Sequence, residues 1–145
     1  MTSVVKDRIH AAWMVLAALG TIAYWITYFT SGATQVRTDE VYLAFENAFP
    51  LADGWMALSF LLSAYFLWRG DQRALLWGIC AGSAMIFLGC MDLLFNLQQG
   101  HFRAPISAEM WAEVVIVVFC LSFGPFTIWR LWRHPLIQVS RRPSQ

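Results

Sequence analysis

Apolar residues fall into four long runs separated by short polar connections. The first extends from about His10 to Thr30 and is uncharged from Ala11 through Val36. The second, from about Tyr42 to Trp68, is interrupted by Glu46, Pro50 and Asp53. The third, Ala74 to about Gln98, contains the single charge Asp92, and the fourth, about Ser107 to Trp129, carries Glu109 and Glu113 near its start and Pro125 near its end. About 20 mostly apolar residues suffice for a helix to cross the roughly 30 Å hydrocarbon core of a bilayer. These runs are too long and too little alternating for the strands of a membrane barrel, and open sheet edges cannot satisfy their backbone groups in hydrocarbon. A run that is greasy on every side suits lipid contact, so the absence of a polar stripe does not count against a helix. The pattern predicts an all-α, polytopic membrane protein, a bundle of four transmembrane helices. Residues 1–134 would form a single membrane domain and residues 135–145 a basic tail.

Composition narrows the class further. The chain is 59% hydrophobic and 13% charged, against roughly 25% charge in an ordinary soluble domain, and its aromatic content excludes disorder. A net charge of +1 offers no field for nucleic acid. Lys6 and Arg8 precede the first run as in a signal peptide. The run is too long for a signal core, however, and Ser31-Gly32-Ala33 is a poor cleavage site, so we expect a retained helix.

Basic residues assign the sides. Lys6, Arg8, Arg69, Arg73, Arg130, Arg133, Arg141 and Arg142 share one side, leaving Arg37 and Arg103 for the other. By the positive-inside rule both termini face the cytoplasm, giving a multi-pass protein of the cell membrane. Trp68, Trp77, Trp129 and Trp132 would then mark the inner interface and Tyr28 and Tyr42 the outer one. The tail would lie near anionic headgroups. The tight Gly70–Arg73 connection makes the second and third helices antiparallel neighbours. Gly78 and Gly82, followed by Ser83, Gly89 and Cys90, form a small-residue stripe of the kind that lets helices approach closely in lipid. Packing within the bundle is the first expectation for that stripe and a homodimer through the Gly78/Gly82 face the alternative. Pro50 and Pro125 should kink their helices at the carbonyls of Glu46 and Leu121.

The acidic residues carry the chemistry. Carboxylates inside a span are costly unless paired or hydrated, and therefore mark function by default. Glu46, Asp53, Asp92, Glu109 and Glu113 all fall in the outer halves of their helices under this topology. A continuous helix would stack Glu46 and Asp53 two turns apart, separated by about 10 Å. Glu109 with Glu113, and Asp92 with Asn96, lie one turn apart, and Asn47 stands beside Glu46. Tyr24 and Tyr28 at the outer end of the first helix offer phenolic hydroxyls. The expected product is a crevice in the outer half of the bundle, in which facing acids cannot all be charged at once. Asp53 and Asp92 would be its deep acids and Glu46 and Glu113 its mouth, with Asn96, Trp55, Tyr24 and Tyr28 beside them. Trp25 and Trp111 offer further aromatic walls. The rim acids Glu46 and Glu109 also admit a bland reading, as solvated interfacial groups paired with Arg37, Arg103 or His101, or complementing a helix start.

Other chemistries lack their residues. His10, His101 and His134 sit at span ends or outside, which leaves no pair to ligate a haem between helices. The three cysteines form no C-x-x-C, and the spacing of the acids names no metal ion. We therefore expect no cofactor and no metal. The reading that fits best is a pocket for a small amphiphilic or cationic ligand, held by carboxylates and cation–π contacts and surrounded by membrane lipids. A protonated acid beside an ionised one would permit isomerase-like acid–base chemistry. In general plan this is similar to the eukaryotic sterol isomerases of the emopamil-binding type, a few helices with membrane carboxylates around a lipophilic cavity. Two other classes compete. One is a small proton- or cation-coupled transporter, which would need polar groups reaching both sides of the membrane. The other is an accessory subunit whose acids pair with a larger partner.

Overall fold

A computed structural model describes residues 3–35, 37–100, 102 and 108–135, with Ser3, Ala108 and Glu109 described as backbone alone. Its helices are α1 (Ser3–Thr30), α2 (Glu40–Glu46), α3 (Pro50–Trp68), α4 (Arg73–Gln98) and α5 (Ala108–Trp132). Among the described residues there is no strand. Four segments are long and apolar enough to cross a membrane: α1, α2 with α3, α4, and α5. Leu16, Leu19, Ile26, Leu58, Leu76, Phe87, Val115 and Val118 point outward, as helices solvated by lipid tails require. The tail expected after His134 lies, but for Pro135, outside the described residues.

The second run is two helices rather than one kinked helix. Proline has no N–H to give to the Glu46 carbonyl, so α2 ends at Glu46 and that carbonyl accepts instead from the Phe49 amide at 3.0 Å. Pro50 then opens α3 at its first position, where a missing N–H costs nothing. Asp39 caps α2 by accepting from the Tyr42 amide at 3.0 Å. That amide, with Arg37 second, holds the Asp39 carboxyl below the usual carboxylate range. In α5, by contrast, the helix continues through Pro125.

The helices run up and down, with α1 against α3, α3 against α4 and α4 against α5. At one end, the base, lie the start of α1, the α3–α4 turn and the end of α5. Gly70, at φ +66°, ends α3 in a Schellman turn: its amide reaches the Leu67 carbonyl and the Asp71 amide reaches Phe66. Asp71 then opens α4, bonding the Arg73 amide at 2.9 Å and its guanidinium at 2.7 Å. Those contacts hold the Asp71 carboxyl down at about 2, so it stays charged until the pH falls into that region. Below the site the core is dry, built from Met14, Ala18, Phe60, Ala64, Ala81 and Leu131. Its buried Ser63 hydroxyl donates to the Ala74 carbonyl.

The glycine stripe of α4 is spent on α5. A Cβ at Gly78 would overlap Leu131 Cδ1, one at Gly82 would lie 2.9 Å from the Gly124 carbonyl oxygen, and one at Gly89 would lie 2.7 Å from Cys120 Cβ. At Gly82 backbone meets backbone, and Gly78 and Gly82 are buried in the bundle. Tyr28 and Tyr42 also depart from expectation. At 3% and 2% exposure they face into the bundle: Tyr28 packs on Trp25, and α2, which carries Tyr42, folds against α4 with Phe45 stacked on Phe95 at 3.9 Å.

Between α1 and α5 there is no comparable packing. The two are joined at the base, where Arg130 reaches Asp7 at 2.7 Å, His134 lies 3.2 Å from the same carboxylate, and His10 sits against Phe123 and Phe126. Both partners of the ion pair are less than one-fifth exposed. Asp7→Asn strands a shielded guanidinium and should cost about 1–3 kcal/mol, the range for a hydrogen bond to a charged group. Denaturant titration of the purified variant measures it, and an unchanged midpoint would show that the clasp contributes nothing.

Candidate functional site

At the opposite end, the mouth, the helices enclose a cavity of about 420 Å³, within the size range of small-molecule sites. Its lining includes Glu46 from α2, Asp53 from α3, Asp92 from α4 and Glu113 from α5. Each helix delivers its acid for a local reason. The chain break at Asn47–Phe49 turns α2 relative to α3, so Glu46 and Asp53 approach the cavity from different helices rather than from one face. Asp92 continues the stripe Met85–Leu88–Asp92, and Glu113 heads the stripe Glu113–Val117–Cys120, both on cavity-lining positions at helical spacing. From α1 the stripe Trp13–Ala17–Gly20–Tyr24 completes the wall.

Three of the four acids have a donor. The Trp25 indole N–H donates to Asp53 Oδ2 at 2.7 Å, a short bond of the charge-assisted kind. The Tyr24 hydroxyl donates to Glu46 Oε2 at 3.3 Å and the Tyr42 hydroxyl to Glu113 Oε1 at 3.4 Å. Glu113 Oε2 is buried with no hydrogen-bond partner. Asp92 also lines the cavity, and among the described residues its carboxyl has no hydrogen-bond donor. Among the described residues, no lysine or arginine is part of the lining. Arg37, which could have folded over the mouth, is bound to Asp39 at 2.9 Å, while His101, Arg103 and the Glu109 side chain lie outside the described residues.

The other expected site residues sit elsewhere. Asn96 is buried, and its amide donates to the Asp92 backbone carbonyl one turn back at 3.0 Å rather than reaching the cavity. Trp55 lies on the outer face of α3, half exposed, 5.9 Å from the Trp77 ring. One residue from Gly54, it falls on the side of α3 away from Asp53. Tyr28 is packed against Trp25 and its hydroxyl is buried without a hydrogen bond, but it does not line the cavity. Trp111 is exposed as well. The sequence reading missed Trp13, Gly20, Phe119 and Cys120 in the wall and Tyr42 as a donor. Stepping three and four residues from each acid, and from Tyr24, would have reached most of the wall.

No family model, characterised protein or solved structure matches this chain. Function has to be argued from the cavity itself. Its acids come from four helices, and among the described residues no three acidic, histidine or cysteine side chains group closely enough to share one metal ion. A hard cation needs its oxygens at about 2.0–2.6 Å from a common point. The arrangement suits a larger, organic cation that touches several walls at once. The aromatic faces of Trp13, Trp25, Tyr24, Phe49 and Phe119 provide the apolar surround.

Proposed function

We propose that the protein binds a small amphiphilic cation, an organic ammonium, in this cavity. One observation carries the reading: four carboxyl groups line a single apolar hollow in which, among the described residues, no basic side chain neutralises them. Carboxylates at membrane depth are costly when unpaired, and an ammonium group would supply both countercharge and donors, with Asp92 as its first partner. Asp53, already bound to Trp25, supports it from α3, and Glu46 and Glu113 close the mouth. The same groups have the composition for acid–base chemistry on a bound ligand.

Orientation follows from charge. Lys6, Arg8, Arg69, Arg73, Arg130 and Arg133 belong to the base, which we assign to the cytoplasm with both termini. The acid cavity then belongs to the outer half of a multi-pass protein in the cell membrane. A transporter reading is less well supported, because beneath the acids the buried core is mostly apolar, its polar side chains among the described residues being the hydroxyls of Ser59, Ser63 and Thr127 and, at the base, the His10 ring. An accessory-subunit reading predicts that the acids meet basic residues of a partner and that the isolated chain is unstable.

Equilibrium binding of benzylammonium and of neutral benzyl alcohol to the purified protein tests the proposal. Wild type should prefer the cation, and Asp92→Asn should weaken it by roughly tenfold or more, as expected when a desolvated charge partner is removed. Equal binding of the two probes, or an unaffected variant, would overturn the assignment.

A further inference from the structure

The ammonium reading leaves unexplained why α1 and α5 stand apart above their clasp at the base. Trp13, Leu16 and Ile116 line the acid cavity, yet are 52%, 58% and 40% exposed, so the cavity is open along this side. A second apolar hollow of about 350 Å³ continues from it, lined by Trp13 of α1 and by Phe119, Ser122, Phe123 and Phe126 of α5. Trp13 and Phe119 belong to both. The two hollows adjoin at these two residues, and side by side they make a trough, acidic at the mouth and apolar towards the base. The thirteen residue steps along α5 from Glu113 to Phe126 span about 20 Å of it at 1.5 Å per residue. On the facing helix, Gly20 borders the cavity with open space where a side chain would stand.

Resting on the ammonium reading, we propose that this trough holds the hydrocarbon tail of the ligand, which is thus a single-chain aliphatic ammonium entering sideways from the bilayer between α1 and α5. Charge decides which end goes where. The carboxyls take the headgroup, and the phenylalanine-lined end, whose one polar side chain is the exposed Ser122, takes the alkyl chain. The gap that admits it opens to the hydrocarbon, where such a molecule would already be dissolved.

The experiment compares benzylammonium, dodecylammonium and neutral dodecanol on protein reconstituted in discs of neutral lipid, with partitioning into empty discs subtracted. Measured against the aqueous concentrations of both, dodecylammonium should bind wild type roughly tenfold or more tighter than benzylammonium, since two further methylenes removed from water already correspond to about that ratio. Ser122→Trp, which fills the trough far from the acids, should abolish most of that advantage and leave benzylammonium binding as it was. Gly20→Trp, which fills the open side of the cavity, should also weaken dodecylammonium. The proposal is overturned if both variants bind dodecylammonium like wild type. It is overturned equally if dodecanol binds as tightly as dodecylammonium, the result expected of a groove that merely holds bilayer acyl chains. Asp92-dependent binding of benzylammonium with no gain from the tail defeats the trough alone. Binding of neither cation defeats the ammonium reading together with it.

Discussion

Gly82→Leu is expected to disrupt the α4–α5 pair and with it the cavity wall that carries Asp92 and Glu113. A Cβ at this position lies 2.8 Å from Ile128 Cγ1 and 2.9 Å from the Gly124 carbonyl oxygen. The first neighbour can rotate, but the second is backbone and moves only if α5 moves. Alanine alone should cost about 1–3 kcal/mol, the usual penalty for overpacking, and the further carbons of leucine have to force the helices apart. In a membrane this matters doubly, because association rests on packing rather than on expulsion of water. Gly54 is the control. It is exposed on α3, a Cβ there meets nothing within 4 Å, and Gly54→Ala should be neutral or stabilising by up to about 1 kcal/mol through helix propensity. Yield of monodisperse protein and the midpoint of denaturant unfolding read both. A Gly82→Leu protein as stable as wild type would mean that α4 and α5 do not meet at this seam.

Asp92→Asn should raise the stability of the ligand-free protein while removing its response to ligand. Most substitutions of a shielded residue destabilise, so the sign is diagnostic. Asp92 shares the cavity with three other carboxyls and, among the described residues, no basic side chain, so its charge stands against like charges at low dielectric. Asparagine keeps the shape and removes one source of repulsion, a gain of order 1 kcal/mol. Asp53→Asn differs, since it replaces the charged acceptor of the Trp25 N–H by a neutral one and surrenders part of a charge-assisted bond. Its gain should be smaller or reversed. Sites kept for binding commonly lower stability in this way. Thermal unfolding of the three proteins, with and without dodecylammonium, gives the comparison. A drop in midpoint for Asp92→Asn would show that its carboxyl serves a structural partner and not a ligand.

Hydropathy reports depth along a helix and almost nothing about direction around it. The number of membrane-length segments and the positions of their acids were legible in the sequence for that reason. The break after Glu46 was only half legible. Pro50 announced a disturbance, but whether a proline bends a helix or starts a new one depends on what accepts the orphaned hydrogen bonds, and here Phe49 supplies that donor. The glycine stripe showed that α4 is closely packed without showing that α5 is what packs on it.

What the sequence determined by itself is a set of spans and the chemistry each carries, because a bilayer demands about 20 apolar residues per crossing and tolerates few charges. Only the tertiary structure decided that Glu46, Asp53, Asp92 and Glu113 line one cavity while Asn96, Trp55 and Tyr28 do not. Nor could the chain alone reveal that α1 and α5 leave a gap beside it. Helices apolar on every side have no polar stripe to declare their inward face. Facing is settled by side-chain packing between helices, by Gly82 on Gly124, Phe45 on Phe95 and Trp25 on Asp53, and those contacts exist only once the bundle has assembled.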